Sequence, residues 1–138
     1  MTFSLVVQMA IYAELTEHAP LMAAVKGVYD DVPQPPDTGG MSGFPYVTIG
    51  EDILREWDTD TELGADGEIA IHVWSRERGR RETKLIQGHI YDALHRADVE
   101  INGFHVVTLE WISDESFLDP DGHTRHGVSR YRVLLERE

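Results

Sequence analysis

The sequence predicts an α+β domain with a mainly antiparallel sheet of about four to five strands, packed against helices on one side. Two helical patterns open the chain, several period-two patterns follow, and one long amphipathic segment interrupts them. A single helix between strands is typical of α+β architecture and not of regular strand–helix alternation. The 138 residues suffice for one core, so we expect a single domain over residues 1–138.

The N-terminal region is predicted to contain two helices. The first runs from Phe3 to His18, and its apolar stripe has spacings of three and four residues: Leu5, Met9, Tyr12 and Leu15. Pro20 suits the first turn of a second helix that ends near Val25, and Gly27 stops it. Residues 28–32 are predicted to be a short extended piece.

The next segment, Pro33 to Gly43, contains three prolines and three glycines, which exclude a helix or a central strand. It is either an exposed connector or a loop that orders on contact with a partner. Pro45 to Trp57 alternates as a strand that leaves the core part-way, with one apolar parity: Val47, Ile49, Ile53 and Trp57. Asp58 to Gly67 is predicted to be an acidic turn. Glu68 to Ser75 is apolar on both faces, which predicts a central strand covered on both sides.

The second half begins with the clearest helix, Arg80 to Arg96. Asn102-Gly103 then predicts a hairpin turn, because both central residues of a type I′ turn need positive φ. The strand after this turn is expected to end near Ser113. A turn at residues 119–122 and a last strand follow, the strand carrying three alternating apolar residues: Tyr131, Val133 and Leu135.

Composition narrows the function classes. The formal net charge of −13 predicts repulsion from nucleic acids and anionic membranes, and the absence of cysteine excludes disulfides and thiolate chemistry. No apolar run is long enough to span a membrane. The apolar N-terminus has no Lys or Arg before residue 26, so we do not expect a secretory signal.

Motifs for catalysis and metal binding are weak. His123 and His126 flank a turn beside Asp119 and Asp121, but no helical frame aims both imidazoles at one ion. Residues 58–62 begin like a calcium loop and then lack its glycine and glutamate. Phosphate-binding loops and nucleophile elbows are missing from the sequence. We therefore predict no catalytic, cofactor-binding or metal-binding residues. His72 and His105 are predicted to be half-buried strand residues.

Tryptophans and arginines are better candidates, because both are favoured anchors of protein interfaces. Arg76, Arg78 and Arg80 form an Arg-rich corner after a strand, where a solvated helix start is the plainer interpretation. Trp57 begins an acidic loop and is an interface candidate. Trp74 and Trp111 are expected to be core residues that cap the sheet.

These segments, in this order, resemble a known family. The resemblance covers nearly the whole chain and rests on residues 11–15, 29–33, 44–50, 57–59, 72–76, 79–94, 119–127 and 131–133. They include Tyr46-Val47-Thr48-Ile49-Gly50, His72-Val73-Trp74-Ser75-Arg76 and Asp119-Pro120-Asp121-Gly122. The pattern is similar to the tail terminator, or tail-completion and tail-to-head joining, proteins of long-tailed phages, prophages and gene transfer agents.

The resemblance implies a tail-terminator-like fold and a virion structural protein without a cofactor. It implies a hexameric ring that caps the head-proximal end of the tail tube, ends tube polymerisation and joins the tail to a head-side stopper or connector. Partners would be further copies, the tube protein and the connector, with double-stranded DNA passing through unbound and no membrane involved. The location would be the neck of a particle assembled in the bacterial cytoplasm.

The residue types that anchor interfaces and the family resemblance together suggest a set of contact residues. The contacts are expected from the two loops, the Arg-rich corner and the last turn, which contribute Pro35, Pro36, Met41, Phe44, Trp57, Asp58, Asp60, Glu62, Arg76, Arg78, Arg80, Asp121, His123 and Arg125. Alternatives stay open at this point. They are another neck component such as a stopper or adaptor, a small cytosolic ligand-binding or regulatory domain, and a hydrolase that uses His123 and His126.

Overall fold

The computed structural model of the protein describes residues 2–30 and 43–138. Its helices are α1 (Phe3–Glu17), α2 (Ala19–Ala24) and α3 (Arg81–Leu94). Its strands are β1 (Val28–Tyr29), β2 (Tyr46–Glu56), β3 (Leu63–Ser75), β4 (Val99–Ile101), β5 (Phe104–Leu118) and β6 (Arg125–Arg137). Pro35, Pro36 and Met41 lie outside the described residues.

The described strands form one six-stranded sheet in the order β1-β2-β3-β6-β5-β4. Only β1 and β2 pair in parallel, and the other four neighbouring pairs are antiparallel. The α+β class with a mainly antiparallel sheet is therefore confirmed, with more strands than the four to five that the sequence suggested. The two-residue β1 lies within the short extended piece predicted at residues 28–32.

The core lies between the helices and one face of the sheet. Helices α1 and α3 pack on each other and on the strands, and Ile11, Ile86 and Ile90 belong to one buried apolar cluster with Ile71 of β3. Burying such side chains stabilises the fold by about 1.5–3 kcal/mol each. The opposite sheet face carries no helix among the described residues, and the interaction surfaces described below use that face and the two ends of the strands.

The predicted apolar stripe of α1 is wrong in part. Leu5 and Tyr12 are 46% and 48% exposed, whereas Leu15 is buried as predicted. The helix buries four further residues that the stripe did not include: Val6, Val7, Ala10 and Ile11. Apolar residues surround most of this helix, so several rotations about its axis bury similar area. Periodicity alone cannot choose among them.

The face assignment along β2 changes at a β-bulge. The register shifts between Ile49 and Asp52, so the residues that follow exchange faces. Ile53, predicted to face the core, is 62% exposed, and Leu54 packs against the core instead.

Strand β3 is longer than predicted. The acidic turn expected at Asp58 to Gly67 is confined to the residues between Glu56 and Leu63, and β3 begins at Leu63. Gly64 and Gly67, which fall in the predicted turn, lie inside the strand at points where the backbone of a neighbouring segment comes too close for a side chain.

The last two strands are also longer than predicted. β5 continues to Leu118, beyond the expected end at Ser113, and β6 begins at Arg125. Polar residues lower the apparent strand signal here, although their backbone pairs continuously in the hairpin. Trp111 is 42% exposed, so its predicted core position is wrong. The turn at Asn102-Gly103 is confirmed, with φ of 50° and 80°.

Among residues 2–30 and 43–138, the helices are too short or too polar to cross a membrane.

Candidate functional site

The first candidate surface is a row of aromatic rings across four strands at one end of the sheet, on the face without helices. Direct cross-strand pairing places Tyr46 beside Trp74, Trp74 beside His126, and His126 beside Phe117. Ring centroids are 6.3 Å, 3.9 Å and 4.8 Å apart along this row. We call these four residues the aromatic row. Cross-strand aromatic pairs stabilise a sheet by roughly 0.2–1 kcal/mol each.

The Arg-rich corner lies directly beyond this row. The guanidinium of Arg76 stands 4.5 Å from the centre of the Phe44 ring, and Phe44 lies 5.1 Å from Tyr46. Arg76 Nε also donates a hydrogen bond of 3.1 Å to Thr124 Oγ1. The structure thus joins Phe44 and Arg76, two predicted interface residues that are far apart in sequence.

Asp121 completes this corner from the β5–β6 turn. Its carboxylate accepts hydrogen bonds from the Thr124 hydroxyl and from the backbone N–H groups of Thr124 and His123. These bonds, that of the hydroxyl first, hold the pKa of Asp121 at about 2. The carboxylate lies 4.0 Å from Arg76 Nη2. Asp121 therefore shapes the turn as a carboxylate, and Thr124 connects it to Arg76, because Thr124 Oγ1 donates to Asp121 and accepts from Arg76.

Arg78 and Arg80 follow Arg76 on the loop before α3 and are exposed, whereas Arg125 begins β6 and is partly buried. His123 is exposed in the β5–β6 turn. We use the name arginine end for the aromatic row, Phe44, the Arg-rich corner and the residues of the β5–β6 turn and the start of β6. The last group consists of Asp121, His123, Thr124 and Arg125. The arginine end combines the residue types that protein interfaces favour.

Three side chains that approach one another within hydrogen-bonding distance adjoin the aromatic row and include one of its members, His126. Glu51 Oε2 lies 3.0 Å from His72 Nε2, and His72 Nδ1 lies 2.7 Å from His126 Nε2. One arrangement of neutral tautomers satisfies both contacts, with His126 donating to His72 and His72 donating to Glu51. A hydrogen bond from its own backbone N–H, and then the one from His72, lowers the pKa of Glu51.

Stability should depend on pH through His126. Burial, and next the positive charge of a protonated His72, lowers its pKa below the ordinary 6.5. His126 binds a proton at a higher pH in the unfolded chain than in the folded protein, because its pKa is lower in the fold. The neutral ring therefore contributes to the unfolding free energy above pH 6.5. This contribution disappears as the pH falls through the folded-state pKa of His126. We expect the urea unfolding free energy to fall between about pH 8 and about pH 5, and to fall less for His126→Gln.

The exposed His123 provides the matched control for this measurement. His123→Gln should retain the pH dependence of the natural protein, because that side chain is exposed at the tip of a turn. An identical pH slope in His126→Gln and in the natural protein would contradict the assignment.

The second candidate surface is the turn between β2 and β3, at the opposite end of the sheet. Four carboxylates lie in seven residues without a base: Glu56, Asp58, Asp60 and Glu62. The backbone N–H of Thr59 donates to the Glu62 carbonyl at 2.8 Å, and Asp58 Oδ1 accepts from the Gly64 N–H at 3.0 Å. Asp58 therefore shapes the turn. Asp60 and Glu62 are exposed, and Trp57 is 43% exposed beside them. We call residues 56–62 the acidic end.

The two ends are held apart by β3, which begins directly after the acidic end and finishes directly before Arg76. Its 13 residues, at about 3.3 Å each, separate the ends by on the order of 40 Å. The described interface candidates thus form two groups, one at each end of β3, and the groups are too far apart to belong to one small contact surface.

Several residues at or next to the arginine end were not among the predicted interface residues: Tyr46, His72, Trp74, His126, Phe117 and Thr124. Alternation placed His72 and Trp74 on one face of a strand, and this was the only usable signal. Their partners come from strands whose register the sequence does not specify. His126 pairs with His72 and Trp74 and not with His123, so the weak metal motif has no geometric support.

The chain is similar to known proteins over most of its length. Residues 9–136 match the family model described as tail completion protein gp17. A protein of that description from Bacillus phage SPP1 is 28% identical over 128 residues, which are 93% of this chain and 90% of the relative. A chain in the virion of a native gene transfer agent particle superposes with a TM-score of 0.82 at 27% identity, covering 94% of this chain and 93% of that one. The bacteriophage SPP1 gp17 structure gives a TM-score of 0.58 at 26% identity, with coverages of 91% and 86%.

Proposed function

Because the chain belongs to the family of tail completion protein gp17, we propose that it is a tail terminator in the neck of a phage-like particle. Copies form a ring on the head-proximal end of the tail tube, end tube polymerisation and join the tail to the head-side connector. The protein acts by shape and contact, as a virion structural protein and not as an enzyme.

The separation of the two ends is the observation that carries this proposal. A protein that joins a tube to a connector needs one contact surface for each, directed away from one another. The arginine end and the acidic end lie on the order of 40 Å apart along β3, and each exposes aromatic and charged side chains. A ligand-binding domain needs one concave site and gains nothing from this division.

The relatives support the same role. One is named as a tail completion protein of a phage, and another is a chain within the virion of a gene transfer agent. A closed ring uses head-to-tail contacts, so each copy presents two different lateral surfaces. The net charge of −13 would keep DNA from adhering to a channel wall. We therefore expect the bore of the assembled ring to be neutral or acidic.

Labelling tests the location. The chain contains no cysteine, so Glu100→Cys, at an exposed position of β4, offers a single thiol for gold. We expect gold at the head–tail junction of intact particles, with a fixed number of copies per neck. Label along the tail or at its distal tip would refute the proposal. After tails are detached, label that remains on heads would favour a stopper or adaptor, and label on the tube end would favour a terminator.

A further inference from the structure

A cluster of side chains that can ligate a metal ion lies among the helices, outside both interaction ends. It consists of His18, His89 and Asp92. His18 occupies the corner where α1 ends and α2 begins, and His89 and Asp92 lie three residues apart on α3. Residues at this helical spacing are neighbours on the same side of a helix. Two separate parts of the helical layer therefore present ligands to one place.

The geometry suits a single ion. One ligand atom from each residue lies within 4.8 Å of the other two. Bonds from a divalent ion to imidazole nitrogen or carboxylate oxygen are about 2.0–2.2 Å, so two ligands of one ion stand no more than about 4 Å apart. The side chains of His18, His89 and Asp92 are half-buried or exposed, so small rotations bring their ligand atoms from at most 4.8 Å to this shorter separation. The backbone at His18 is fixed, since its N–H donates to Leu15 and its carbonyl accepts from Met22.

A second observation points to a missing partner. His18 Nε2 is buried and has no hydrogen-bond partner among the described residues. A buried polar atom without a partner is unfavourable, and an unseen ion is one of its recognised explanations. The centres of the His18 and His89 imidazole rings lie 6.5 Å apart.

We propose that His18, His89 and Asp92 bind one borderline divalent cation of the Zn²⁺, Co²⁺ or Ni²⁺ class. Two imidazoles and one carboxylate are the ligand set that these ions prefer when thiolates are absent, and the fourth position is left for water. The ion would connect the α1–α2 corner to α3. Because α1 and α3 both cover the sheet, this connection stabilises the helical layer and leaves the two interaction ends unchanged.

The other clustered set, Glu100, His105 and Glu138, serves as an internal control. It offers one imidazole, and His105 Nε2 already lies 2.5 Å from Asp98 Oδ1. This contact raises the pKa of His105, which favours the protonated ring that cannot bind a metal ion. We therefore expect His105→Ala to leave metal binding unchanged.

The test uses the full chain without a histidine tag, freed of metal by a chelator and titrated with Co²⁺ and then Zn²⁺. We expect saturable binding of one ion per chain, a visible Co²⁺ absorption band and a higher melting temperature with Zn²⁺. His89→Ala and Asp92→Asn should each weaken binding at least ten-fold, because the loss of even an outer-shell partner of a metal ligand typically costs about 10–100-fold in affinity. Asp92 is exposed, so its variant folds and keeps the test decisive.

Absence of one-to-one binding would overturn the site, as would binding that survives both His89→Ala and Asp92→Asn. Loss of binding in His105→Ala alone would also overturn it, because the ion would then lie in the other cluster. These results are independent of the location experiment, so either proposal can fail without the other.

Discussion

Gly67→Ala is expected to destabilise the protein by roughly 3 kcal/mol, because a single methyl group has no room where β2 and β3 pair. Gly67 faces Leu54 across the strands, and an added Cβ would overlap the backbone carbonyl of Ile53. A backbone atom cannot rotate aside as a side chain can. The strands must separate locally and give up ladder hydrogen bonds on both sides, since Gly67 also pairs with Val133 of β6.

The same substitution on α3 supplies the control. Gly88 is exposed on the helix, and an added Cβ meets nothing within 4 Å. Alanine has the higher helix propensity, so Gly88→Ala should stabilise the protein by about 1 kcal/mol. Urea unfolding monitored by circular dichroism measures both changes. Two variants with equal stability would show that the space at Gly67 is not the constraint inferred from the structure.

The largest functional effect is expected from charge reversal at either end of the sheet. Asp60→Lys with Glu62→Lys alters the acidic end, and Arg78→Glu with Arg80→Glu alters the arginine end. These side chains are exposed and make no hydrogen bond or ion pair within the part of the chain that the structure describes, so the variants should fold normally. If each end carries a contact worth about 2 kcal/mol, the yield of joined particles should fall at least about 30-fold in either variant.

The two variants should fail in different ways. Loss of the connector contact leaves tails of normal length beside unattached heads, whereas loss of the tube contact leaves tails without a defined end. Electron microscopy of lysates distinguishes these outcomes. Glu17→Lys with Glu100→Lys changes the net charge as much as the acidic-end variant does, at exposed positions outside both ends, and should assemble normally. Identical defects at both ends, or normal assembly in both variants, would contradict the division into two contact surfaces.

Local signals made several features predictable. The hairpin at Asn102-Gly103 follows from the φ values that its turn requires, and α3 follows from a stripe long enough to define one face. The order of the elements and the α+β class follow from the periods of apolar residues along the chain. The family resemblance also came from the sequence, because turns and strand ends are local patterns.

The remaining features depended on contacts between distant segments. The face of α1 that is buried, the reversal of Ile53 at a bulge and the extension of β3 through two glycines are all set by neighbouring strands. Pairing register brought Phe44, Arg76 and Asp121 to one end and the acidic turn to the other. The packing of α1 and α2 on α3 placed His18 near His89.

The sequence by itself determined the secondary-structure order, the fold class and the acidic character of this protein. Each depends on residues within a few positions of one another, where backbone geometry restricts the choices. Only the tertiary structure decided which residues form the two ends and the His–His–Asp cluster. Their assembly depends on strand register and helix rotation, which are set by the packing of the whole core and leave no short-range pattern.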